Sequence, residues 1–159
     1  MQGAAYVFVR SGAAWSRQGD ALTASDGAEG DAFGYAVALS GDTALVGAPT
    51  GQYTEAATKG GAYVFVRSGA TWSQHGGVLT TSDGAARDSL GTAVALLGDT
   101  ALVGAPRKNH SQGAAYLFAR SGAAWSQRGG ALTASDGAAV DWFGRTLALS
   151  RSTAFVGAP

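Results

Sequence analysis

"FGYAVALSGDTALVGAP", residues 33–49, sets two short apolar runs around a Ser-Gly-Asp turn, and it returns twice in altered form. The copies are "LGTAVALLGDTALVGAP" at 90–106 and "FGRTLALSRSTAFVGAP" at 143–159. Superposing Trp15, Trp72 and Trp125 brings the rest of the chain into register, giving sequence repeats 2–49, 59–106 and 112–159 within a single repeat domain, 1–159. The spacings differ because the stretch 50–61 is longer than its counterpart at 107–113.

Each unit carries four segments, in the first copy "AAYVFVR" (4–10), "AWSRQGDALT" (14–23), "FGYAVALS" (33–40) and "TALVGAP" (43–49). They are rich in Val, Tyr, Phe, Trp and Thr and bounded by Ser-Gly, Ser-Asp-Gly or Ser-Gly-Asp, residues that turn the chain by positive φ or by Asx bonding. This predicts β-strands; no segment holds a capped 3.6-residue period. The links "RSGA" and "SGDT" are short enough for hairpins, so consecutive strands pair antiparallel. Along one strand Tyr6, Phe8 and Arg10 face one way and Val7 and Val9 the other, which requires neighbours on both faces of the sheet. The expected fold is all-β, a β-propeller of four-stranded antiparallel blades stacked face to face, with three blade equivalents per chain.

The Phe-Gly at 33–34 and 143–144, its Leu-Gly variant at 90–91 and three Gly-Ala-Pro endings resemble the FG-GAP repeats of integrin-α-like propellers, over essentially the whole chain. In that family's frame the Phe-Gly and Gly-Ala-Pro strands are the first two of a blade. The resemblance therefore implies blades at 31–83 and 88–136, with a third split between 141–159 and 1–26. Three blades are too few to close a ring, since propellers have roughly four to eight. Closure is expected from a homodimer that forms six blades by exchanging half-blades, with a head-to-tail filament, or a longer propeller of which this is a part, as alternatives.

Net charge is zero, with eleven acidic and eleven basic residues, so nothing favours nucleic acid as a partner. No apolar run reaches the roughly 20 residues of a membrane span, and the N-terminus does not read as a signal peptide. The resemblance implies an extracellular or cell-surface location.

Catalytic material is sparse: there is no cysteine, His75 stands at a variable surface position, His110 lies in a loop, and no phosphate-binding glycine motif occurs. No catalytic residue is expected, and the chain reads as a non-enzymatic binding or adhesion module for protein or glycan, with a self-assembling building block as the alternative. Trp15, Trp72 and Trp125 are candidate ligand platforms or blade-packing residues. Trp142 and Arg145, with Arg151-Ser152 in place of a Gly-Asp turn, mark the third repeat as a seam or a binding patch.

Integrin-type repeats often carry an Asp-x-Asp-x-Asp-Gly calcium loop, which this chain lacks; Asp26 and Asp31, Asp83 and Asp88, and Asp136 and Asp141 stand near its place. Two carboxylates supply too few of the six to eight oxygens calcium takes, so these aspartates are expected to stabilise turns, a degenerate cation site being the alternative. No cofactor is expected. Asn109-His110-Ser111 fits an N-glycosylation acceptor at Asn109 in a predicted loop.

Overall fold

Alternating Val, Leu, Ala and aromatic residues between Gly-containing turns produce twelve strands among the described residues, 2–49 and 59–159 of the computed structural model. In chain order they are β1 (Phe8–Ser11), β2 (Ala14–Arg17), β3 (Ala36–Ser40), β4 (Thr43–Ala48), β5 (Gly61–Ser68) and β6 (Thr71–Gln74), followed by β7 (Val94–Leu97), β8 (Thr100–Ala105), β9 (Ala114–Ser121), β10 (Ala124–Leu132), β11 (Thr146–Leu149) and β12 (Ala154–Gly157). The longer loop that sets the first repeat apart falls mostly at 50–58, outside the described residues.

Every strand pairs antiparallel with its neighbour in sequence, giving two four-stranded sheets, β3-β4-β5-β6 and β7-β8-β9-β10, and two two-stranded ones, β1-β2 and β11-β12. The full sheets fall inside 31–83 and 88–136, and the half-sheets do not pair with each other.

The middle strands are buried on both faces. Leu45 and Val46, adjacent in β4, are both fully buried because their side chains enter different layers. Leu45 packs with Val64, Val103, Tyr116 and Phe118 between the two full sheets. Val46 packs with Leu22, Phe33, Tyr63 and Phe65, with Val7 of the N-terminal half-sheet against them. The ring of Phe33 lies 5.6 Å from that of Tyr63 and 5.9 Å from that of Phe65, tilted and edge-on. Each such buried side chain contributes about 1.5–3 kcal/mol. Sheets therefore stack as layers, as a propeller requires.

Two differences from the sequence pattern have physical causes. β1 spans four residues whereas its counterparts β5 and β9 span eight, because β1 has no strand on the side where β4 and β8 flank those two. The third repeat's hairpin also ends early, its last pair being Leu149 with Ala154, where the first closes on Ser40 with Thr43. Gly41 and Gly98 take left-handed φ values of 57° and 55° in their turns, a conformation that Arg151 does not adopt.

Among the described residues the all-β pattern has one interruption, a single tight turn at Lys108–Ser111. Asn109, His110 and Ser111 all take positive φ there, between 50° and 65°. Backbone bonds from Ser111 to Arg107 and from Gly113 to Lys108 hold it.

Candidate functional site

The three aspartate loops share one local design. In each, the second aspartate turns its carboxylate back on the N–H three residues earlier: Asp31 accepts from Ala28 at 2.6 Å, Asp88 from Ala85 at 2.9 Å and Asp141 from Ala138 at 2.6 Å. The residue that follows, Ala32, Ser89 or Trp142, takes positive φ before the chain enters the next sheet. These carboxylates are thus engaged in closing turns.

The first aspartates face tyrosines. Asp83 accepts from the Tyr116 hydroxyl at 3.1 Å, and Asp26 is hydrogen-bonded to Tyr63, whose hydroxyl is raised by burial and then by that carboxylate. Asp26 and Asp31 line a cavity of about 370 Å³ together with Tyr63 and Lys59. Asp136 is exposed.

In the middle loop the space between the carboxylates holds an ammonium. Lys108, buried, places Nζ 3.2 Å from Asp83 and 3.4 Å from Asp88, and donates to the Asp83 carbonyl at 2.8 Å. Burial on its own pushes the Asp83 carboxyl up, but hydrogen bonds from Lys108 and Tyr116 and the lysine charge hold it below its usual range. Burial likewise opposes the charge on Lys108, and the surrounding Tyr116, Asp83 and Asp88 outweigh it and raise the lysine. Among the described residues no three His, Cys, Asp or Glu side chains converge. In the middle loop this donor set does not fit calcium, because the Asp88 carboxylate closes a turn and a lysine already supplies the cation.

Lys108→Met is expected to cost about 2–3 kcal/mol at neutral pH, below the range for fully buried pairs because Asp83 keeps half its surface in water. Asp83, depressed in the folded state, contributes stability above the usual carboxylate pKa that is lost as pH falls below about 4. Lys108, raised, contributes stability below the usual lysine pKa that is lost only in strong alkali. Urea titrations of the two proteins should therefore differ most near neutrality and converge in acid.

Two of the repeated tryptophans, Trp72 and Trp125, pack against the cores between sheets. Trp72 is half-buried and donates to Gln18 at 3.3 Å; Trp125 is half-buried, its buried Nε1 without an acceptor among the described residues; Trp15, on the open N-terminal half-sheet, is exposed. His75 stands where the first repeat has Gln18, but its Nε2 lies 2.7 Å from the Ala123 carbonyl oxygen, so it bridges two sheets rather than lying free on the surface. An unpaired indole N–H costs about 1–3 kcal/mol. His75→Gln, which restores the Gln18-like acceptor, is expected to raise stability by about 1 kcal/mol in urea unfolding.

Trp142 is partly exposed and carries the Arg145 guanidinium 4.9 Å from its ring centroid. Its N–H donates to the Ser111 carbonyl at 2.8 Å, fastening the 107–113 loop. Asn109 and His110 are exposed on that loop. The structure therefore brings Trp142 and Arg145 together and leaves Trp15 apart from them.

Large apolar side chains stand exposed on the two half-sheets. Phe155 in β12 is 74% exposed, whereas its counterparts Leu45 and Leu102 are 0% exposed. Tyr6 and Phe8 are 55% and 56% exposed, whereas Tyr63, Phe65, Tyr116 and Phe118 are buried. Val37 and Leu39 are exposed on β3, and a cavity of about 440 Å³ opens between them, Val7, Leu22, Ala44 and Val46.

Four-stranded antiparallel sheets stacked through double-faced middle strands, each entered by a Phe-Gly or Leu-Gly step and carrying Gly-Ala-Pro at the end of its second strand, define a repeat protein built of propeller-like blades. The FG-GAP repeat profile matches residues 15–65, 72–118 and 125–159, and the chain belongs to the FG-GAP repeat family. No curated protein matches it. FG-GAP repeats are typical of extracellular proteins, and among the described residues no helix is long and apolar enough to cross a membrane.

Proposed function

We propose that the chain is a non-enzymatic FG-GAP propeller module, acting outside the cell, whose work is binding and whose first partner is another FG-GAP unit. The observation that carries this is the contrast at one repeat position, where Leu45 and Leu102 are sealed between sheets while Phe155 stands in the open. An unpaired strand edge beside an apolar face is unstable against association, and the partner that fits is one presenting the missing strands. Hydrogen exchange tests it: amides of β1 and β12 should gain protection as protein concentration rises, while those of β5 and β8 stay protected throughout. Exchange at β1 and β12 that ignores concentration would contradict the proposal.

A second reading rests on a separate observation, the Arg145 guanidinium stacked on the partly exposed Trp142. Such a cation-capped aromatic on a loop suits a glycan or protein ligand at the rim. Trp142→Ala should then abolish binding on a glycan array without altering the oligomeric state. Unchanged binding would remove the residue from any ligand site.

A further inference from the structure

We infer that the occupant of the open half-sheets is a second copy of this chain, docked so that its β12 adds antiparallel to β1 and its Phe155 enters the cavity beside Val7. This deepens the association proposed above and rests on it.

The register follows from the pairs inside the complete sheets. β4 meets β5 through Thr43 with Val66, Leu45 with Val64 and Val46 with Tyr63, and β8 meets β9 through the matching residues. Carried to the open edges, these pairs place Thr153 opposite Val9, Phe155 opposite Val7 and Val156 opposite Tyr6, one residue of each pair from each copy. All six lie at repeat-equivalent positions, so the half-sheet that lacks strands and the half-sheet that carries them are complementary within one sequence. No foreign chemistry is needed.

Side chains agree with that register on both faces. Leu45 packs beside Ala101 and Val103 of the next sheet; Phe155 in the same place meets Ala44 and Val46, which line the 440 Å³ cavity. The exposed Val37 and Leu39 stand where Val94 and Leu96 pack against the core between the two full sheets, so the incoming β11 covers them as β3 covers β7. On the other face Phe143 reaches Tyr6 and Phe8 as Phe33 reaches Tyr63 and Phe65. The exposed Asp136 is then the partner of Tyr6, completing the series begun by Asp26 with Tyr63 and Asp83 with Tyr116.

One difference makes this seam depend on Phe155. Within the full sheets Asp42 binds Arg67 and Asp99 binds Arg120, both at 2.7 Å, whereas the corresponding pair is Ser152 with Arg10. The seam lacks the ion pair and has Phe where the interior has Leu. Applied at both ends, the contact joins two copies into six blades with two-fold symmetry, within the range in which propellers close.

The chain has no cysteine, which permits a direct test. Val9→Cys and Thr153→Cys proteins, made separately and mixed under mild oxidation, should give a disulfide-linked species of twice the chain mass. Ser16→Cys, on β2 at the far side of β1, mixed with Thr153→Cys should give none. Cross-linking through Ser16 would overturn the seam, as would failure of the Val9 and Thr153 pair while the protein still sediments at twice the chain mass. Sedimentation at the mass of one chain would instead overturn the association on which the seam rests.

Discussion

Gly91→Ala is expected to lower stability by about 3 kcal/mol or more, a large share of the roughly 5–15 kcal/mol that holds a domain folded. Gly91 sits at φ 97°, where a side chain is strained whatever the space around it, and a Cβ built on it falls on the Gly61 carbonyl oxygen of the neighbouring sheet. Backbone cannot yield as a flexible side chain would. Gly98 is the control: it too has positive φ, at 55°, but an added Cβ meets nothing within 4 Å. Gly98→Ala should therefore cost only the left-handed penalty of about 1–2 kcal/mol. Urea midpoints for the two variants separate turn glycines from those that let sheets approach. Equal losses would mean that conformation alone explains the Phe-Gly position.

Leu102→Ala and Phe155→Ala form the second pair, at one repeat position in two environments. Leu102 is fully buried, so truncation should cost about 3–5 kcal/mol and act at any protein concentration. Phe155 is mostly exposed on its own chain, so its truncation should leave the stability of the dilute chain nearly unchanged. It should weaken association by about a hundredfold or more, the loss expected when a large aromatic leaves a packed seam. A Phe155→Ala protein that unfolds as readily as Leu102→Ala when dilute would place Phe155 inside its own chain's core. One that associates normally would remove Phe155 from the seam.

Much of the fold could be read from residues whose demands are local. Alternation in "TALVGAP" and "AYVFVR" gives strands, "SGDT" gives a hairpin, and apolar residues on both faces call for stacked sheets. The half-sheets were legible only through the FG-GAP resemblance, whose frame tells which strands share a blade. Other features depend on contacts between distant residues and leave no periodic mark. Lys108 lies in a non-repeating loop, and only its approach to Asp83 and Asp88 shows that an ammonium occupies the centre of the aspartate loop. His75 looked like a surface substitution; its link to Ala123 spans 48 residues and has no counterpart among the described residues. The tryptophans were undecided between platform and packing because their sequence contexts match, whereas their burial depends on whether a neighbouring sheet is present. The positive φ of Trp142 was hidden likewise, since Ala32 and Ser89 at the same position give no sign of it.

The aspartate loops show how charge replaces a ligand within a repeat. A buried carboxylate needs a compensating cation or hydrogen bonds. Asp88 has both, from Lys108 and from the Ala85 N–H, whereas Asp31 has the turn bond beside an open cavity. The same backbone thus carries an internally neutralised loop and a more open one.

The most direct measurement is the solution mass by light scattering over a hundredfold dilution. Closure of six blades from two copies predicts a constant mass of twice the 15.8 kDa chain across that range, and a mass that falls toward one chain on dilution in Phe155→Ala. A single-chain mass at every concentration, or one that grows without limit as concentration rises, would contradict it.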